Sequence, residues 1–181
     1  MSIQPGTHKL GPDNATLQVK TGRRGAAAKA GHDLVIEVTS WEATLEVGDG
    51  SNLLALQLRA DPTSLGVREG SGGMQALGDE DKVEIKRTIE EEVLSAEAIE
   101  FRSTDVEASD GERLRVNGEL SMNGTARPLG FELDVGPGDR LTGGATVKQS
   151  DWGIEPYTGL FGALKVRDEV EVVAEATLPA G

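Results

Sequence analysis

The chain contains no cysteine, which excludes a disulfide framework, a thiolate nucleophile and any cysteine-based metal site, and leaves the redox compartment unmarked. Positive charge is also scarce: 18 basic residues stand against 31 acidic ones, a formal charge of −13. That balance repels phosphate backbones and anionic membrane surfaces, so no nucleic-acid partner is expected, and solubility is its plain consequence. No segment is apolar and long enough to span a bilayer as a helix. The first residues, MSIQPGTHKLGPD, lack the basic and then apolar run of an export signal, so a cytoplasmic location is the default expectation. No serine occupies a G-x-S-x-G elbow, and only two histidines occur, His8 and His32, far apart. On a strand His32 and its neighbour Asp33 point to opposite faces and make a poor chelate, so neither a metal nor a catalytic set is assigned. His32 is expected as a hydrogen-bonded corner residue, with a polar gate or ligand contact as the sharper alternative.

What the chain does have is alternation. Within residues 114–135, Leu114, Val116, Leu120 and Met122 alternate with polar residues, and Leu129, Phe131, Leu133 and Val135 resume the pattern after Asn123-Gly124. Period two on both sides of an Asn-Gly pair predicts an antiparallel hairpin with one aliphatic face. Leu17 and Val19 mark an earlier strand, and residues 33–47 a long one whose phase changes: Leu34, Ile36 and Val38 share one parity, Trp41, Ala43, Leu45 and Val47 the other. A bulge or bend near Thr39-Ser40 is required to keep both halves facing inward. Leu54, Leu56 and Leu58 follow, ended by Asp61-Pro62. Further strands are expected around Ile99 and Phe101, around Leu141, Ala145 and Val147, and over residues 166–178.

Residues 66–78 are the most glycine-rich stretch. A phosphate loop is excluded because Asp79-Glu80-Asp81 follow where Lys and Ser or Thr are needed, so the stretch reads as a flap or connector. The acidic triplet suits the start of a helix over about residues 81–95, in which Ile85, Ile89 and Val93 recur four apart. Residues 155–164 form a short helical or irregular segment carrying Tyr157, Leu160 and Phe161. About eight strands and one helix in 181 residues predict a single mainly β domain, an eight-stranded antiparallel barrel.

Four pieces, in order and spacing, resemble the polyisoprenoid-binding YceI-like family. They are Pro5-Gly6-Thr7, residues 98–104 (AIEFRST), residues 118–124 (GELSMNG) with Arg127-Pro128-Leu129, and Ser150-Asp151-Trp152-Gly153-Ile154. The resemblance covers nearly the whole chain and implies a lipocalin-like barrel with a helical cover and an apolar pore. It also implies a polyisoprenoid or other long-chain lipid as partner and allows a homodimer; no cofactor and no catalytic residue is read from the sequence. Two features depart from the family's pattern: Gln149 stands where an arginine is frequent, with Lys148 beside it, and the Gly31-His32-Asp33-Leu34 corner with the acidic balance points to a divergent, non-exported branch.

On this reading Leu17, Val19, Leu34, Ile36, Val38, Leu56, Leu58, Phe101, Val116, Leu120, Phe131 and Leu133 turn inward and line the pore. The plain alternative is that they fill the barrel as a solid core. Trp152, Tyr157 and Phe161 are expected at its rim, where aromatic bodies with polar tips suit a boundary between dry and wet. An interaction module that binds no lipid, or an enzyme using paired carboxylates, remain the other functional classes open at this point.

Overall fold

The computed structural model describes residues 3–50, 52–110, 112–159 and 162–178. The strands, in chain order, are β1 (Gly6–Leu10), β2 (Ala15–Lys20), β3 (Arg23–Arg24), β4 (Asp33–Val38), β5 (Trp41–Val47), β6 (Leu53–Ala60) and β7 (Leu65–Ser71). After helix α1 (Asp79–Thr88) come β8 (Ile99–Ala108), β9 (Arg113–Met122), β10 (Thr125–Gly136), β11 (Arg140–Lys148), β12 (Thr158–Gly159), β13 (Leu164–Val166) and β14 (Glu169–Thr177). Eleven of them form one curled antiparallel sheet in the order β1-β5-β6-β8-β9-β10-β11-β14-β2-β4-β7, and β12, β13 and β3 form a small second sheet.

The expected eight-stranded closed barrel is therefore corrected to an eleven-stranded curled sheet. The reason lies in three bends. Residues 6–20 break at Gly11, residues 33–47 at Thr39-Ser40, and residues 53–71 at Asp61, where Pro62 opens a 3₁₀ turn. Each long run gives one strand to each end of the hydrogen-bonded order: β1, β5 and β6 at one end, β2, β4 and β7 at the other. The second and third bends are clamped to each other by Thr39 N–H to Ser64 O and Asp61 N–H to Ser40 O, 2.9 and 3.0 Å, and the first is closed by the Asn14 and Ala15 N–H groups on the Gly11 carbonyl, 3.1 and 2.9 Å. Without them the parity change would turn half of each run's apolar residues outward; with them Ile36 and Val38 are buried together with Trp41, Ala43, Leu45 and Val47.

Two expectations about this region shift. A register slip at Glu46/Val47 puts Leu53 and Leu56 inside and leaves Leu54 exposed, so Leu54 is out of phase with Leu56. The first half of the glycine-rich stretch is strand β7, paired with β4, and only the residues after Ser71 form a loop.

The Asn-Gly hairpin forms with a two-residue turn, Asn123 and Gly124 at φ 53° and 71°, so β10 starts at Thr125. Pro128 sits inside β10 without cost to the ladder, because this half of the strand pairs with β9 alone; β11 meets β10 only from Glu132 onward. The wall therefore splits above Gly143-Gly144. A 3₁₀ turn over Gln149–Trp152 lies at this split, with Trp152 almost fully buried and its indole Nε1 donating to the Leu120 carbonyl at 2.8 Å.

Helix α1 begins two residues earlier than expected, and Asp81 accepts the Gly78 N–H at 2.8 Å to close its first turn. Residues 89–93 continue as a π turn, which brings both Val93 and Leu94 to the inner side. Neither piece contains a fully buried residue.

At Gly118 β9 has no room for a side chain against β8. A Cβ there would stand 2.5 Å from Cζ of Phe101 and would also collide with the Arg102 carbonyl. Gly118→Ala should destabilise the fold by about 1–3 kcal/mol, seen as a lower urea midpoint with unchanged slope. The neighbouring exposed Glu119→Ala should move it little.

Candidate functional site

The interior is divided. At one end, Val47, Leu53, Leu114, Val116, Val135 and Leu178 pack into a solid plug, Val116 with no exposed surface at all. Above it lies an apolar cavity of about 560 Å³. Its floor is Leu45, Leu133 and Leu141, its walls come from β2, β4 to β6, β8 to β11 and β14, and its cover is α1 with the π turn through Ile85, Ile89, Val93 and Leu94. Such a volume lies within the range of small-molecule pockets.

Every inward position named from the sequence lines this cavity except Val116: Leu17, Val19, Leu34, Ile36, Val38, Leu56, Leu58, Phe101, Leu120, Phe131 and Leu133 do. Val116 has the right parity but lies too near the start of β9 and belongs to the plug. Phe101 and Phe131 meet across the cavity wall at 5.2 Å between ring centroids, tilted by 58°. Of the three aromatic residues expected at the rim, Tyr157 lines the cavity and is 41% exposed, while Trp152 is buried in the split of the wall and does not line it. Trp152 is thus corrected from a rim residue to a wedge: its ring is buried in the wall and its N–H is satisfied there by the Leu120 carbonyl. Phe161, with Leu160, falls outside the described residues.

Several lining positions escaped the sequence reading. Leu10, Ala15 and Trp41 come in because β1, β2 and β5 bend at their ends, and Val170, Val172 and Ala174 because β14 closes the wall between β11 and β2. Their alternation is visible in the chain, but the depth at which each strand stops is not.

Most polar residues of the lining, Thr16 and Glu175 apart, gather at the open end. Arg23, Thr21, His32, Glu84, Thr88, Gln149, Tyr157 and Lys165 all belong to the lining there. Arg23 is well held: its Nη1 donates to the Gly31 carbonyl, its backbone N–H donates to Asp33 Oδ1 at 3.0 Å, and its Nε lies 3.7 Å from the same oxygen. His32 Nε2 is 2.6 Å from the Gln75 carbonyl, the hydrogen-bonded corner expected of it. The loop after β7 lies directly on these two side chains. Gly72 and Gly73 have φ of 78° and 74°, and a Cβ on either would strike Arg23 or His32 respectively. Gln149 is nearly buried and gives its amide N–H to the Arg167 carbonyl at 3.0 Å. The Ser150 hydroxyl and N–H, bonded to the Asp168 carboxylate at 2.5 and 2.8 Å, hold its pKa below the usual carboxylate value.

Among the described residues no group of three or more His, Cys, Asp or Glu side chains is placed to hold a metal ion. No helix among them is long and apolar enough to cross a membrane. Chemically, the site offers a dry aliphatic chamber with one wet, partly charged opening.

The wedge can be tested separately. Trp152→Phe keeps a ring in the split but leaves the Leu120 carbonyl without its indole donor, which should cost about 1–2 kcal/mol in a urea titration.

Three comparisons bear on the family. The model of the YceI-like domain matches residues 13–178. Among solved structures, BcnA of Burkholderia cenocepacia superposes with a TM-score of 0.64 at 16% identity, covering 89% of this chain and 94% of that one. A YceI protein of Campylobacter jejuni does so with 0.58 at 13% identity, over 78% and 81%; a mutant of that protein has been solved with monobromobimane as a guest. At these identities the structural likeness shows the fold alone. No match is found among curated proteins. A curled antiparallel sheet with a helical cover, matched by the domain model over nearly its whole length, places the chain in the YceI-like family.

Proposed function

We propose that this protein binds and carries a polyisoprenoid or another long-chain amphiphilic lipid, with the tail in the 560 Å³ cavity and the head at the polar opening. The observation that carries this reading is the composition of the chamber: below its opening, the side chains that face it are almost all aliphatic, with Phe101 and Phe131 at mid-depth. An apolar chamber of this size gives up dispersion contacts on every wall while empty, and an apolar chain restores them. Catalysis has no comparable support, since no nucleophile, base and orienting partner are brought together there among the described residues.

The cover supports the same reading. Ile85, Ile89, Val93 and Leu94 face the cavity, yet each stays only half-buried because the space beneath them is not filled by protein. A bound chain would complete their burial and steady the helix. Hydrogen exchange over residues 79–94 should therefore slow when ligand is added, whereas exchange in β9 and β10 beside the plug should change little.

Thermal melting supplies a direct test. A chain ligand at a hundredfold excess over its Kd adds about 2.7 kcal/mol, which for a chain of this size is a rise of roughly 5–10 °C. Leu120→Lys should abolish the rise, because it sets an unpaired charge in the chamber wall, while the outward Glu119→Lys should retain it. Mass spectrometry of an organic extract identifies any lipid that co-purifies. A clean extract, together with no shift from either prenyl or acyl chains, would sink the proposal.

A further inference from the structure

The chamber has a blind end, and the rungs of the sheet show where it stops. On one rung, Leu114 of β9 pairs with Leu133, Leu133 with Gly143, Gly143 with Ala174, and Ala174 with Leu17. Leu114 belongs to the plug, whereas the other four line the chamber. On the rung below, Val135 lies in the plug while Leu141, Ala176 and Ala15 line the chamber. Strands of a curled sheet tilt to its axis, so each rung changes depth as it runs round the wall. The floor therefore slants, and its deepest recess lies against β11, β14 and β2.

Leu133 marks the step between packed and open. A Cβ on Gly143 would come 2.5 Å from Leu133 Cδ2, so the leucine leans across the bare backbone of β11. Beneath it nothing is left to yield: Val116 has no exposed surface, and Val135 and Leu178 are each 2% exposed. A core packed that closely does not part for extra methylenes without strain. The polar opening is at the other end, so a tail enters there and its tip comes to rest on Leu133 and Leu141.

Resting on the carriage reading above, we infer that this closed end is a ruler: at about 30 Å³ for each water-sized group, the 560 Å³ chamber admits one tail of roughly 15–20 carbons. The ligand class is a single-tailed amphiphile, with a chain the size of hexadecyl, farnesyl or geranylgeranyl. A diacyl lipid brings twice the tail and does not fit. A polyprenol of twice the length leaves half its chain in water. Leu133 is the stop, and the small side chain of Ala174, next to Gly143, keeps the recess beside it open.

Straight-chain acids from decanoate to tetracosanoate share one head, so a calorimetric series into delipidated protein, kept below the micelle concentrations, reads the tail alone. Affinity should rise by up to about fourfold per methylene while the chain fits, then level off at roughly 15–20 carbons. Leu133→Ala, which trims the stop back to its Cβ, should move that break about three carbons longer. Ala174→Leu, which fills the recess, should move it about three carbons shorter. A loss of stability alone would weaken every length together and leave the break where it was. Should Leu133→Ala fail to fold, the shift in Ala174→Leu carries the same test. Affinity that keeps climbing to tetracosanoate, or a break unmoved in Ala174→Leu, would overturn the ruler and leave carriage standing. No binding at any length would overturn both.

Discussion

An apolar chamber can be walled by polypeptide only if the backbone of the wall has somewhere to place its N–H and C=O groups, and everything else in this molecule follows from how that is done. The wall is one antiparallel sheet whose ladders run through eleven strands, and its curl depends on three runs that bend rather than continue straight. At each bend the phase of the side chains is reset, so that residues before and after it both face inward. The clamps are small, Ser40 and Ser64 carbonyls accepting from Asp61 and Thr39. Yet without them β4 and β5 could not both contribute to the interior.

The curl also has to leave the wall incomplete somewhere, because β10 and β11 share only part of their lengths. Trp152 makes good the loss, bringing a large apolar body and a single donor that the Leu120 carbonyl accepts. The Phe101 ring lying over Gly118 is the same trade on a smaller scale: a missing side chain on one strand makes room for a ring on the next.

Inside the wall, packing is graded along the axis. The plug is close-packed and supplies the stability of an ordinary core. The chamber above it is lined by similar residues that meet no partner across the gap, and the cover over it is a short helix with no fully buried residue. Rigidity is thus concentrated at one end and adaptability at the other, where Gly72 and Gly73 let the loop lie on Arg23 and His32. Local stability and access to the chamber are arranged along the same gradient.

Alternation, a hairpin turn opening at Asn123-Gly124, the bend at Thr39-Ser40 and the acidic start of the helix were all legible in the chain, because each is set by contacts between near neighbours. So was the parity of the inward residues from Leu17 to Leu133. Depth was not legible: Val116 and Leu120 share one face of one strand, and only the stacking of strands from distant parts of the chain puts the first in the plug and the second in the chamber. Nor was the phase of Leu54, which a register slip at Glu46/Val47 reverses. The split in the wall that claims Trp152, and the meeting of Lys165 with Arg24 at the mouth, join residues 32 or more positions apart. Sequence determined which side of each strand is apolar, since that is a matter of period. Tertiary structure alone decided how far the strands overlap, and with it where packed core ends and chamber begins.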